Sequence, residues 1–238
     1  MFRRILRKLF RYKESRTIYR IGSLLIKLMP WTSWVLVKTP YGLILHPKDF
    51  RVLSMKFDMV EPEIQGVFEE WVREADVFID IGAAAGWYIL KAERLNPKAF
   101  KIAMEPDSIA YTILKANLAI NGLLLNKNII TINMACAEEE KEITITTCIS
   151  GLGSITVKAK PLDKILEELG IELSSKSLVM IDVEGAGYSI IKGAETTLKK
   201  YRPKIIMELH KGEEPVPEYL RSLGYEIYRP PKYFVVAH

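Results

Sequence analysis

Residues Val77 to Gly86 read VFIDIGAAAG, and residues Leu178 to Gly185 read LVMIDVEG. Each is a short apolar run that ends in an acidic residue followed by glycine. An open α/β sheet presents a ligand and a reacting group along one edge with such strand ends, because its crevice lies outside the carboxyl ends of the strands. This pair restricts the chain to a small set of α/β architectures.

The stretches around the two motifs alternate between strand and helix patterns. Periodicity predicts strand 77–81, helix 86–95, strand 100–105, helix 108–120 and strand 128–135, then a hairpin-like insert over 142–158. Helix 161–169, strand 177–182, helix 187–199, strand 203–209 and helix 215–222 follow, with a terminal strand pair at 225–229 and 232–237. Such alternation implies a mostly parallel sheet with helices on both faces. The final two strands are too close for a crossover helix, so they must pair antiparallel. Upstream, Trp34–Lys38 and Leu43–His46 flank Thr39-Pro40-Tyr41-Gly42, the signal of a small β-hairpin. A helix is expected from about Glu61 to Arg73.

The 238 residues are read as a basic helical arm, 1–33, and one enzymatic domain, 34–238. Residues 1–30 hold nine Lys/Arg and one acid, a charge of +8 on a chain whose net charge is +5, so the body is at −3. Phe2, Ile5, Leu6, Leu9 and Phe10 recur at helical spacing opposite the cations, as do Ile18, Ile21, Leu24, Leu25 and Leu28. Two readings stand: a helix lying on an anionic membrane surface, or an extension packed on the core or on a second subunit of a homo-oligomer. Nucleic acid is the weaker third. Lys27 and Pro30 interrupt the only apolar run of note, which argues against a spanning helix. No cleavable secretory pattern is visible. Cys136 and Cys148 lack partners at zinc-like spacing and are read as reduced thiols of a cytoplasmic enzyme, with the arm at the inner membrane face under the first reading. Abundant Lys, Glu and Ile with a single glutamine, Gln65, lean toward a thermophile.

The first motif points to a nucleoside. A strand ending at Ile81 must turn sharply into a helix near Gly86, and Gly82 and Gly86 permit positive φ and close approach of the backbone. Small residues from Ala83 to Ala85 leave room against the main chain. The next strand ends at Glu105, where a carboxylate can accept both ribose hydroxyls. The pattern Asp-x-Gly-x-x-x-Gly lacks the first glycine of a dinucleotide fingerprint and puts Asp80 where a pyrophosphate would be repelled. S-adenosylmethionine has no phosphate and carries an ammonium and a sulfonium, so an acidic loop suits it.

From about Trp34 onward the chain resembles the FkbM family of class I S-adenosylmethionine-dependent methyltransferases. The resemblance is carried by VFIDIGAAAGWYIL (77–90), MEPDSIAYTILKANLAIN (104–121), PLDKILEELG (161–170), LVMIDVEGAGYSIIKGAETTL (178–198) and RPKIIMELH (202–210). It implies a Rossmann-like sheet of seven strands and methyl transfer, commonly to a hydroxyl of a sugar or another small molecule. It also implies cofactor contacts at Asp80, Gly82 and Glu105, with Pro106 beside them, and the adenine edge at Ala135 and Cys136. Where family members often have Asn in the first loop, this chain has Ala84-Ala85.

Methyl transfer to oxygen needs an aligned acceptor and a group that removes its proton. Neighbouring strand ends at 182 and 209 should bring Asp182, Glu184, Glu208 and His210 together. His210 is the favoured general base, its ordinary pKa being nearest neutrality. Glu184 is the alternative base or orients the imidazole, and Asp182 positions the acceptor or the cofactor's methyl end. These oxygens could also suit Mg²⁺, although no metal is expected. Acceptor contacts are expected from the hairpin, from the 142–158 insert with Ser150 and Ser154, and from Trp87 and Tyr188. The alternatives are RNA methylation and a non-catalytic S-adenosylmethionine-binding protein. Asp-Val-Glu-Gly in place of an Asn/Asp-Pro-Pro-aromatic motif, and the body's negative charge, speak against nucleic acid. Pro230-Pro231-Lys232-Tyr233 reads as a hairpin turn.

Overall fold

A computed structural model describes residues 34–49, 51–147, 149, 153–228 and 233–238. The basic arm, Cys148, Ser150 and residues 230–232 of the terminal turn lie outside the described residues. The chain runs β1 (Trp34–Thr39), β2 (Gly42–Pro47), α1 (Arg51–Lys56), α2 (Gln65–Glu74), β3 (Val77–Ile81), α3 (Trp87–Leu95), β4 (Phe100–Met104), α4 (Ser108–Ile120) and β5 (Ile129–Ile132). It continues through β6 (Ala135–Cys136), β7 (Lys141–Thr146), β8 (Ser154–Lys160), α5 (Leu162–Leu169), β9 (Leu178–Ile181), α6 (Gly187–Lys192), α7 (Glu195–Tyr201), β10 (Lys204–Glu208), α8 (Val216–Ser222), β11 (Ile227–Tyr228) and β12 (Phe234–Ala237).

Seven strands form the central sheet in the order β11-β12-β10-β9-β3-β4-β5. The pairs β10/β9, β9/β3, β3/β4 and β4/β5 are parallel, and β12 is antiparallel to both β10 and β11. All five residues of β3 are buried. Phe78 packs on one face with Phe68 and Ile89, while Val77, Ile79 and Ile81 face Leu166 and Ile190 on the other. A strand covered by helices on both sides favours apolar residues on both faces, which explains Val77, Phe78, Ile79 and Ile81 and leaves Asp80, at the carboxyl end, as the exception.

The order of the strands sets the site. β3 and β9 are neighbours in register, with Ile81 opposite Ile181, so both motifs end at the same edge. β10 lies beside β9, with Met207 opposite Ile181. Three motifs distant in sequence are therefore adjacent in space.

Two predicted elements divide. The expected strand 128–135 stops at Ile132, because Asn133 turns the chain by donating through Nδ2 to the carbonyls of Glu105 and Pro106 at 2.8 and 3.0 Å. Ala135 and Cys136 then pair in parallel with β8, in a separate sheet of order β6-β8-β7. The expected helix 187–199 breaks at Gly193-Ala194. A Cβ on Gly193 would meet the carbonyl oxygen of Ala137 at 2.1 Å, so the chain passes too close there for any side chain. Asp163 then caps α7, accepting from the backbone N–H groups of Thr196 and Thr197 at 2.9 and 2.8 Å. The helix α1 was not anticipated, and α2 begins at Gln65, later than expected.

The β1–β2 hairpin forms as expected and leans on α4. Asn117 and Asn121 accept from the N–H groups of Leu45 and Leu43 and donate back to the same residues' carbonyls. A side-chain ladder thus replaces a third strand at that edge. Among the described residues, no helix is long and apolar enough to cross a membrane.

Candidate active site

The carboxyl ends of β3, β4, β9 and β10 open on a cavity of about 410 Å³. Its cofactor side is built by main chain. Gly82 (φ 92°) and Gly86 (φ 86°) shape the turn after β3, and the N–H groups of Gly82 and Ala83 both donate to the Met104 carbonyl. A Cβ on Gly82 would stand 2.0 Å from the Asp182 carbonyl oxygen, and one on Gly86 would stand 2.5 Å from Leu114 Cδ1. The first glycine admits the second motif, and the second admits α4.

Glu105 ties this loop to the next strand. Its Oε2 accepts from the Ala84 N–H at 2.8 Å and its Oε1 from the Asp107 N–H at 2.9 Å. Burial pushes its pKa up to about 7, against the opposing pull of those two bonds. Each carboxylate oxygen has a second lone pair, so the two loop bonds leave acceptor capacity for ribose hydroxyls. Asp80 is 2% exposed and its Oδ2 lacks a hydrogen-bond partner. Burial, then Asp182 and Glu105, push its pKa well up. An orphaned acid beside two further acids, in a loop without basic residues, fits a cationic ligand and repels a phosphate.

Ala135 and Cys136 line the cavity from the small sheet, with Ile143 and Ile145 of β7 and Ile149 beyond it. This apolar wall suits an adenine ring. The Cys136 thiol is packed against Met104 Sδ at 3.5 Å, and burial pushes its pKa up to about 12. Gly82, Glu105 and Pro106 also line the cavity, whereas Asp80, Ala83 and Gly86 stand behind it as the frame of the loop.

The opposite side is built by side chains. His210 Nε2 lies 3.8 Å from Asp182 Oδ1 and 4.0 Å from Glu208 Oε2, and Nδ1 lies 3.4 Å from Glu184 Oε2. The backbone N–H of His210 donates to Glu213 Oε2 at 2.7 Å, which fixes the residue after the strand. Asp182 foremost, then Glu208 and Glu184, raise the imidazole pKa to about 9 despite partial burial. Ligand atoms of Asp182, Glu208 and His210 lie within 4.8 Å of one another, a set that could take a divalent cation. At neutral pH a proton on His210 competes for that place.

Two expected acceptor contacts belong elsewhere. Trp87 is a core residue, 5% exposed and edge-on to Tyr41. Tyr188 packs against Tyr219 on the outer side of the sheet. The insert, by contrast, does line the cavity, through Ile143, Ile145, Thr146, Thr147 and Ile149. Sequence reasoning missed Glu61, which enters the cavity from the loop before α2. No motif marks it; the sequence places it at the start of the expected helix 61–73.

A seven-stranded sheet with one antiparallel strand and a glycine turn followed by a ribose-side acid define a class I S-adenosylmethionine-dependent methyltransferase. A model of the Methyltransferase FkbM domain matches residues 80–227, and the chain belongs to that family. The fold is similar to that of an FkbM methyltransferase from Methylobacillus flagellatus KT, with TM-score 0.54 and 17% identity over 81% of this chain. The chain spans 56% of that relative's length. It is also similar to a SAM-dependent methyltransferase from Agrobacterium tumefaciens, with TM-score 0.52 and 11% identity, covering 88% of this chain and 70% of the other. No curated protein matches.

Proposed function

We propose that the enzyme methylates a hydroxyl oxygen of a small molecule, most simply a sugar or glycan. The observation that carries this reading is His210, held between Asp182 and Glu184 where the ends of β9 and β10 meet. S-adenosylmethionine supplies the electrophilic methyl group. The residues of the chain must then align the acceptor and take its proton, because a sugar hydroxyl is too weak an acid to ionise unaided. His210 is the base, Glu184 orients its Nδ1 side, and Asp182 stabilises the imidazolium formed as the proton arrives. The raised basicity of His210 has two effects. It leaves on the order of a hundredth of the imidazole neutral at pH 7, and it strengthens that fraction as a base.

The experiment is transfer of a radiolabelled methyl group to parallel pools of glycans, glycolipids and RNA across pH 6 to 10. Label in the glycan or glycolipid pool, with kcat/KM climbing toward pH 9, supports the reading. Label in RNA alone, or a flat pH profile, overturns it.

A further inference from the structure

We propose that Glu61, hydrogen-bonded by Tyr88, is the carboxylate that receives the ammonium of the cofactor's methionine end. The inference rests on S-adenosylmethionine as cofactor and adds a residue outside every motif of the chain.

Glu61 belongs to the loop before α2. It lines the same space as Gly82, Asp182, Glu208 and His210, and its Oε2 accepts from the Tyr88 hydroxyl. The other cavity acids have partners within the protein: Glu105 binds two backbone N–H groups, Asp107 caps α4, and Asp182, Glu184 and Glu208 surround His210. Tyr88 lies two residues after Gly86, in the first turn of α3, and is 8% exposed. Burial and the neighbouring Glu61 make its phenol harder to ionise, so it remains a donor and holds the Glu61 carboxyl in one orientation.

The backbone points the same way. Glu61 has φ 45° and Asp58 φ 54°, a left-handed conformation that non-glycine residues adopt at a cost of roughly 1 kcal/mol or more. A lattice of polar contacts keeps the loop there. Gln65 Nε2 donates to the carbonyls of Asp58 and Val60, Tyr41 donates to Asp58 Oδ2 at 2.8 Å, and the buried Lys91 pairs with Asp58 and Glu69. Strain maintained by so many contacts places one side chain in the cavity.

Electrostatics supply the ligand's sign. Burial raises the Glu61 pKa, and the facing acids Asp182, Glu208 and Asp80 raise it further, against the bond from Tyr88. Such a nest is repulsive when empty of cations and favours a ligand with positive charge. The cofactor brings two, its sulfonium and its ammonium, and the second lies at the end away from adenine.

The test is calorimetric titration of the full chain with S-adenosylhomocysteine and with 5′-methylthioadenosine. The latter keeps the nucleoside and thioether but lacks the amino-acid end. Glu61→Gln should weaken S-adenosylhomocysteine about 10- to 100-fold, the range of a lost charge-assisted hydrogen bond, and leave methylthioadenosine within about twofold. Tyr88→Phe should act on the same ligand alone by about 3- to 10-fold, which keeps the test open if the first variant fails to fold. Unchanged S-adenosylhomocysteine affinity, or equal weakening of both ligands, would overturn the assignment. Failure of the unsubstituted chain to bind either ligand would instead remove the cofactor on which it rests.

Discussion

The turn after β3 and the paired ends of β9 and β10 face each other across one cavity, yet they are made from different material. The turn uses main chain and buried acids: Asp80 is 2% exposed and Glu105 7%. The paired strand ends use half-exposed side chains, with Asp182 37%, Glu184 63% and His210 21% exposed. A cofactor shared by many enzymes is held by backbone geometry that few sequences can satisfy. On the proposed reading, an acceptor is handled by side chains that can change without disturbing the sheet. The two halves meet where the Asp182 N–H donates to the Ile81 carbonyl and Gly82 packs against the Asp182 carbonyl.

That contact is the place to break the comparison. Gly82→Ala puts a Cβ 2.0 Å from the Asp182 oxygen at φ 92°, so both halves must separate. The variant should lose about 3 kcal/mol or more of stability, along with S-adenosylhomocysteine binding, as read by thermal unfolding and calorimetry. Retention of both would mean that the loop can yield.

His210→Ala should divide the halves functionally. We expect kcat to fall about 10²- to 10⁴-fold while S-adenosylhomocysteine affinity stays within about threefold. A matched loss of affinity would place the imidazole on the cofactor side instead.

Stability against pH sharpens the contrast further. Folding raises the His210 pKa from 6.5 to about 9, so the native state holds its proton more tightly. Its stabilising contribution is complete below pH 6.5 and is lost as pH passes about 9. Glu105, raised from 4.5 to about 7, acts in the same direction at lower pH, because its native form also binds the proton better. The Tm of the ligand-free protein should therefore fall steadily from pH 5 to 9, while turnover climbs toward pH 9. In His210→Ala the upper part of that fall should disappear.

The smallest effect is expected away from both halves. Asp163→Ala removes the cap of α7 and should cost about 1 kcal/mol in thermal unfolding with kcat unchanged. A change in kcat would show that the break at Gly193 supports the site.

Local rules were a good guide wherever one segment alone determines its conformation. The helix 108–120 and strand 77–81 have the expected bounds, because Asp107 caps the first and a largely apolar run that ends at the Gly82 turn defines the second. The expectations that needed revision depended on neighbours. Helix 187–199 carried an adequate apolar period, but the close passage of Ala137 splits it at Gly193. Ala135 and Cys136 looked like the end of a strand, but they pair with a partner more than twenty residues ahead in the chain. Trp87 had aromatic character suited to a sugar, and only packing shows it facing Tyr41.

By itself the sequence determined the α/β alternation, the glycine turn with its ribose-side acid, and the identity of the acids and the histidine after β9 and β10. Those features follow from local periodicity, backbone freedom and the chemistry of single residues. The tertiary structure alone decided the distances at which Asp182, Glu184 and Glu208 meet His210, the basicity that these three carboxylates confer on that imidazole, and the arrival of Glu61 from a loop with no motif. Each of these depends on distances between segments far apart in the chain. Electrostatic interaction and burial scale with such distances, and no spacing along the chain encodes them.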